Sequence, residues 1–132
     1  MEKYYAAATK STPYINFDPP AKRFIISGES YPENAAMFYT PVFKWLAVFL
    51  DSQYDSQIVF DIELIYFNSS SSKALINFIT MLERAAQSGK DIIINWRYYA
   101  DNDNALECGE EFKEDAPGLT FNLVPVERYK ES

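Results

Sequence analysis

Residues 58–82 read IVFDIELIYFNSSSSKALINFITML, where a hydrophobic run passes through a short polar turn into an amphipathic segment. The run Ile58–Phe67 is mostly aliphatic, β-branched or aromatic, which is typical of a central strand covered on both faces. Across residues 75–86 the apolar side chains recur at the spacing of one helix face, and Gly89 is a suitable C-terminal stop. This strand–turn–helix unit predicts an α/β protein.

Upstream of this unit, residues 14–17 and 23–27 read as two short strands joined by a turn, which predicts a hairpin. A helical region follows over about residues 33–50. Pro41 lies inside this region and leaves two interpretations open. Either Thr40 caps a main helix that begins at the proline, or the proline kinks one longer helix.

Downstream, residues 91–99 read as another strand and residues 119–126 as a final one. Between them we expect a weaker helix over residues 104–113, because Asn104 and Glu107 have the spacing of a capping box. The order is therefore β-β-α-β-α-β-α-β. It predicts one mixed β-sheet flanked by helices, with right-handed connections between the parallel strands.

The length of 132 residues suits one domain, and we expect residues 1–10 and 127–132 to be flexible ends. The first ten residues lack the apolar core of a signal peptide, and no run approaches the ~18 apolar residues of a membrane span. Cys108 is the single cysteine and excludes an internal disulfide. We therefore expect a cytoplasmic protein that does not bind membranes.

Charge is concentrated in one segment. Residues 101–115 hold seven acids and one lysine, a net charge of −6, whereas the whole chain carries −7. This acidic segment is either a solvated helix face or a docking surface for a basic partner. The chain has no cluster of lysine and arginine to contact a phosphate backbone, so we expect no nucleic-acid binding.

The residue types that are missing argue against catalysis. The chain has no histidine, which excludes Ser-His-Asp and Cys-His nucleophiles and most zinc sites. Its four glycines form no phosphate-binding loop. Asp61 and Glu63 alternate along a strand, which indicates one polar face more than an acid–base pair. We expect a protein that is not an enzyme and holds no cofactor or metal.

Partners and ligands of such a sheet meet the loops at the carboxyl ends of its parallel strands. Here these are residues 28–34, 68–72 and 100–104. The middle loop, Asn-Ser-Ser-Ser-Ser, offers five polar side chains where one helix cap is needed. A phosphate on it would meet the free amides and the positive dipole end of the following helix. Phosphorylation there would change the surface charge and leave the fold intact.

Several longer stretches carry a family resemblance. The most specific are Ser-Tyr-Pro-Glu-Asn at residues 30–34 and Tyr-Phe-Asn-Ser-Ser at residues 66–70; Trp-Arg-Tyr at 96–98 and the acidic run at 110–115 add to them. With these, residues 11–124 resemble the SiaC family of bacterial regulatory phosphoproteins. The resemblance implies a STAS-like fold, similar to that of anti-sigma-factor antagonists.

The resemblance also implies a partner-switching pathway. A dedicated kinase would phosphorylate the hydroxyl after the Tyr-x-Asn strand end, and a PP2C-type phosphatase would remove the phosphate. The unphosphorylated form would bind and activate an effector such as a diguanylate cyclase, raising cyclic-di-GMP and tuning biofilm behaviour. By position the acceptor is Ser69, with Ser70 as second choice because four serines follow one another. The partner-binding residues expected around it are Tyr31, Glu33, Asn34, Asn68, Ser71, Lys73 and Tyr98.

A second class of function stays open at this point. The same strand-end cleft could bind a small molecule or a nucleotide, with Tyr31, Tyr98 and Tyr99 as its walls.

Overall fold

A computed structural model describes residues 1–127, in which six strands form one sheet and three α-helices connect the parallel part of it. The elements are β1 (Tyr4–Ala6), β2 (Tyr14–Asp18), β3 (Arg23–Ser30), α1 (Ala35–Leu50), β4 (Ile58–Phe67), α2 (Ser69–Gln87), β5 (Ile92–Tyr99), α3 (Asp103–Asp115) and β6 (Thr120–Val126). The predicted α/β class with a single mixed sheet is confirmed.

The strands lie side by side in chain order, β1-β2-β3-β4-β5-β6. The first three pair antiparallel, and β3 to β6 pair parallel. Each crossover connection leads to the adjacent strand, and all of them advance across the sheet in the same direction. Right-handed connections of this kind place their helices on the same side of the sheet.

The expectation that β4 is covered on both faces was wrong. Its residues alternate between buried and more exposed positions, because helices cover only one face. The apolar residues on the other face, such as Val59, made the strand look uniformly hydrophobic.

Aromatic side chains fill the space between sheet and helices. The Phe17 ring contacts Trp45, Phe60 and Phe78, with centroids 5.4, 5.5 and 6.0 Å away. Such pairs add about 0.5–1.5 kcal/mol each beyond the apolar area they bury. Much of the high aromatic content of the chain is therefore used in its core.

The uncovered face of the sheet is bridged by polar side chains. Asn95 Nδ2 donates to Asp61 Oδ1 at 3.1 Å, and Asn122 Nδ2 donates to Asn95 Oδ1 at 3.0 Å. Arg97 Nε is 3.0 Å from Glu63 Oε1. Asp61 and Glu63 thus form part of a polar sheet face.

Helix α1 is one helix that contains Pro41, and it begins earlier than a proline start would allow. Asn34 is its N-cap and accepts a hydrogen bond from the Met37 amide at 3.0 Å. Thr40 is not a cap: its Oγ1 donates to the Ala36 carbonyl at 2.6 Å, inside the helix.

The N-cap of α3 is Asn102, not Asn104, and its side chain accepts from the Ala105 amide at 3.1 Å. Helix α3 is therefore capped two residues earlier than the capping-box spacing indicated.

Within residues 1–127, every helix is too short or too polar to span a lipid bilayer.

At the N-terminus, the flexible end expected over residues 1–10 contains strand β1. It pairs antiparallel with β2, and Trp45 Nε1 donates to the Glu2 carbonyl at 2.9 Å. A strand of three residues is too short to show a periodic pattern. The second flexible end was expected over residues 127–132, and residues 128–132 lie outside the described part of the chain.

Candidate functional site

The three helices begin at one edge of the sheet, where the parallel strands end, and an asparagine caps each of them. At α2 this residue is Asn68, whose Oδ1 accepts from the Ser71 amide at 3.0 Å. An asparagine cap satisfies an amide that has no acceptor inside its helix. The serines that follow are therefore not required as caps.

The four serines at the start of α2 have different surroundings. Ser69 and Ser70 are exposed, Ser72 is partly buried, and Ser71 is fully buried. The prediction that Ser71 contacts a partner was wrong, because its position in the first helical turn points the side chain toward the sheet. Two neighbouring hydroxyls, those of Ser69 and Ser70, remain accessible to another protein.

Ser71 belongs to a buried cluster of three hydroxyls. Its Oγ is 2.7 Å from Ser30 Oγ, which is 2.6 Å from the Tyr39 hydroxyl, and both contacts are hydrogen bonds. Burial raises the pKa of Tyr39 above its usual 10.0, and hydrogen bonds to Ser30 and Ser71 oppose this shift. The cluster ties α1, β3 and the start of α2 together directly beneath the exposed serines.

Sequence reasoning did not find this cluster. Ser30 and Ser71 are 41 residues apart in the chain, and no local pattern pairs them. The position of Ser30 in the Ser-Tyr-Pro-Glu-Asn stretch was the one available signal, and it did not reveal the partners.

A groove of about 450 Å³ runs between α1 and α2 and brings four predicted site residues together. Glu33 and Asn34 lie at the start of α1, and Ser70 and Lys73 line the α2 side. Ser69 does not line the groove. It precedes Ser70 in the first turn, so its side chain leaves the helix at a different angle.

The remaining predicted residues lie apart from this groove. The Tyr31 ring packs edge-on against Tyr66, with centroids 5.8 Å apart. Tyr98 packs against the core from β5, and β4 separates that strand from β3. Because successive strand residues point to opposite faces, Tyr99 and Tyr98 cannot wall one cleft. The three tyrosines thus do not form the ligand cleft considered as an alternative.

A smaller groove of about 290 Å³ lies between the end of β4 and α3, with Cys108 on its lining. Burial, Glu111 and Glu107, in that order, raise the pKa of the Cys108 thiol.

Residues 1–127 contain no group of histidine, cysteine or carboxylate side chains that could hold a metal ion. The acids of α3 are exposed.

The regulatory phosphoproteins of the SiaC family have a sequence model that matches residues 6–126 of this chain. The chain belongs to the SiaC family. It is also 37% identical over 116 residues to an uncharacterised protein of Pseudomonas aeruginosa strain UCBPP-PA14, covering 87% of this chain and 90% of that one.

Solved structures of SiaC from P. aeruginosa have the same fold. The apo form superimposes with a TM-score of 0.83 at 33% identity, covering 96% of this chain and 100% of that one. SiaC in complex with the diguanylate cyclase SiaD, which it activates, gives a TM-score of 0.86 at 33% identity over 93% and 99% of the two chains. This SiaC family chain is therefore related to signalling proteins that work through protein–protein contacts; its STAS-like classification stays a prediction.

Proposed function

We propose that this chain is a phosphorylation-controlled binding protein that performs no chemistry of its own. In the cytoplasm, its unphosphorylated form binds and activates a diguanylate cyclase. A protein kinase and a PP2C-type phosphatase set the phosphorylation state, and cyclic-di-GMP output and biofilm behaviour follow it. The observation that carries the proposal is the exposed hydroxyl of Ser69 beside a helix cap that does not depend on it.

The start of α2 can accept a phosphate without losing structure. Ser69 is the first residue of the helix, and the first amides of a helix have no acceptor inside it. A phosphate at this point is stabilised by those amides and by the helix dipole. Asn68 continues to cap the Ser71 amide, since its bond does not involve the Ser69 side chain. The fold is thus kept while the surface gains about −1.5 to −2 charges.

The added charge then decides whether a partner binds. An effector that covers the start of α2 has to bury the phosphate dianion near Glu33 or provide a cation for it. Burying an unpaired charge costs several kcal/mol. Binding by the unphosphorylated form and release on phosphorylation follow from this cost.

Ser69 is the proposed acceptor because it stands directly after the strand-end asparagine, the position that the family resemblance gives. Ser70 is the second choice, since it is exposed and lines the groove. The proposed partner contacts are Tyr31, Glu33, Asn34, Asn68 and Lys73. Tyr98 lies on β5, so it would contact only a partner that extends from the start of α2 across β4.

Binding of glutamate and alanine variants to the diguanylate cyclase tests the proposal. Ser69→Ala should bind constitutively, and Ser69→Glu should bind at least about tenfold more weakly, which is roughly 1.4 kcal/mol. Ser88→Glu is the control, because it adds the same charge at the far end of α2. Circular dichroism verifies that it is folded, since a carboxylate there meets the negative end of the helix dipole. Mass spectrometry after incubation with the cognate kinase locates the phosphate. A phosphate outside residues 69–72, or equal binding by Ser69→Glu and Ser69→Ala, would contradict the proposal.

A further inference from the structure

Ser30 forms hydrogen bonds to both ends of the turn that carries the two exposed serines. Its carbonyl accepts from the Asn68 amide at 3.1 Å, and its Oγ is 2.7 Å from Ser71 Oγ. Asn68 and Ser71 are joined to each other, because Asn68 Oδ1 accepts from the Ser71 amide at 3.0 Å. We call this closed set of three hydrogen bonds the Ser30 network, defined by Ser30, Asn68 and Ser71. Ser69 and Ser70 are the two residues that lie between Asn68 and Ser71 in the chain.

An irregularity in the sheet brings Ser30 beside this turn. The pairing of β3 with β4 shifts by one residue just before the end of β3, where β4 contributes one extra residue. Ser30 therefore pairs with Phe67, the residue directly before Asn68. In an unshifted ladder Ser30 would pair with Tyr66, and the Asn68 amide would lie one residue further along the chain. A β-bulge re-aims side chains, and bulges are enriched next to functional sites.

The hydroxyls of the Ser30 network are buried. Ser30 and Ser71 are both 0% exposed, and a hydroxyl is costly to bury unless it is hydrogen-bonded. The Tyr39 hydroxyl adds a further hydrogen bond to Ser30 Oγ, at 2.6 Å, from the side of α1. Tyr39 is not needed to close the network, because the three bonds that define it involve other atoms. Another protein cannot touch Ser30 or Ser71, so they affect phosphorylation only through the turn that they hold.

We propose that Ser30 is a positioning residue for the phosphorylation of this chain. Through Asn68 and Ser71 it fixes the start of α2, so that the Ser69 hydroxyl is presented to the kinase in one place. The inference rests on the proposed function, since it concerns the same phosphorylation. Helix ends fray easily, because the first amides of a helix have no acceptor inside it. The Ser30 network restrains this helix end on both sides of the exposed serines.

Phosphoryl transfer depends closely on the placement of the acceptor. A bond forms between Ser69 Oγ and the terminal phosphorus of a nucleoside triphosphate, while the bond from that phosphorus to its bridging oxygen breaks. The hydroxyl proton passes to a base of the kinase, and a nucleoside diphosphate leaves. The attacking and leaving oxygens lie roughly in line, and a displacement of about 1 Å can lower the rate about a hundredfold. A hydroxyl on a frayed turn would meet this requirement only part of the time.

The experiment compares two variants that each remove one hydroxyl from the buried cluster. Ser71→Ala opens the Ser30 network, whereas Tyr39→Phe leaves it closed. Each removes one of the two hydrogen bonds of Ser30 Oγ, so the two should lower the melting temperature by similar amounts. Phosphorylation of the full chain by the cognate kinase with ATP is then measured over a range of chain concentrations. We expect kcat to fall at least about tenfold for Ser71→Ala and to stay within about twofold of the wild type for Tyr39→Phe.

The Michaelis constant separates positioning from docking. Because Ser71 is 0% exposed, Ser71→Ala leaves the surface that the kinase contacts unchanged. Its KM should therefore match that of the wild type, with the whole loss in kcat. Ser30→Ala opens the same network and should lower kcat in the same way. Circular dichroism verifies that the variants are folded, and the comparison of Ser71→Ala with Tyr39→Phe stands without Ser30→Ala.

Amide hydrogen exchange gives a second measurement that needs no kinase. The amides of residues 71 and 72 donate to the Asn68 side chain and carbonyl, so both report on the start of α2. Their exchange should be faster in Ser71→Ala than in Tyr39→Phe. Equal exchange in the two variants would overturn the restraint.

The kinetic outcomes distinguish the two proposals. If the wild type is phosphorylated and Ser71→Ala has the same kcat as Tyr39→Phe, the positioning role is overturned and the proposed function stands. A loss that appears only in KM would also overturn positioning. A wild-type chain that the kinase does not phosphorylate would overturn the proposed function and the positioning role with it.

Discussion

Replacing the serines of the α2 N-terminus by glutamate one at a time should separate positions that tolerate a charge from one that does not. Ser69→Glu and Ser70→Glu place a carboxylate on exposed positions at the positive end of a helix. We expect their free energy of unfolding to stay within about 0.5 kcal/mol of the wild type. Ser71→Glu places the same group at a side chain that is 0% exposed.

The cost at Ser71 has two parts. The hydroxyl loses its 2.7 Å hydrogen bond to Ser30, which contributes about 1 kcal/mol. A buried, unpaired carboxylate adds roughly 3–5 kcal/mol. With a urea dependence of about 1–3 kcal/mol per molar, the total loss of about 4–6 kcal/mol moves the unfolding midpoint down by at least about 1 M. Ser71→Ala removes only the hydrogen bond and separates the two parts.

Urea unfolding followed by circular dichroism measures all four variants. The deficit of Ser71→Glu should shrink at acidic pH, because protonation removes the buried charge and burial raises the pKa of the new carboxyl. A Ser71→Glu midpoint equal to that of Ser69→Glu would refute the burial of Ser71, and with it the division of the serines into structural and accessible ones.

Three further predictions concern other parts of the fold. Gly109→Ala should lower the melting temperature by several degrees, because its Cβ would stand 2.5 Å from Trp96 Cδ1 and strain a packed core; an unchanged melting curve would contradict this packing. The free energy of unfolding should fall as pH rises above 10. Tyrosine loses its proton there in the unfolded chain, whereas the raised pKa of Tyr39 keeps its hydroxyl neutral in the fold. Denaturation curves taken across alkaline pH should show a smaller fall for Tyr39→Phe. Cys108 should react with a thiol reagent more slowly than free cysteine at neutral pH, because its pKa is raised. Glu111→Gln should speed the reaction slightly, and unfolding should speed it more. A larger effect of Glu111→Gln than of unfolding would mean that Glu111, and not burial, is the main cause of the raised pKa.

The sequence contained enough information for the architecture because its main signals are long. The apolar stripes of α1 and α2 each extend over several turns, so their helical period is clear. The run Ile58–Phe67 is long enough to identify a strand, although its apolar residues on both faces hide the alternation. The resemblance to the SiaC family directed attention to the region around Ser69, and the match to the family model confirms the resemblance. Boundaries were less certain, since Asn102 and Asn104 are equally good caps in sequence.

What could not be predicted depends on contacts between distant residues. The burial of Ser71 follows from the direction of its side chain and from Ser30 and Tyr39, which meet it only in the folded chain. The separation of Tyr98 from Tyr31 depends on strand order, and a list of strand ends does not contain that order. The uncovered sheet face depends on all crossovers moving in one direction, which no single element reveals.

The order of the strands also bears on how the chain folds as it is made. Because β1 to β6 lie side by side in chain order, each new strand finds its neighbour already synthesised, and none has to insert between two others. The chain leaves the ribosome N-terminus first, so each strand emerges after the neighbour with which it pairs. Every residue that lines the α1–α2 groove lies between positions 33 and 77. The region that holds the proposed phosphorylation site has therefore been synthesised in full before β5, α3 and β6 are translated.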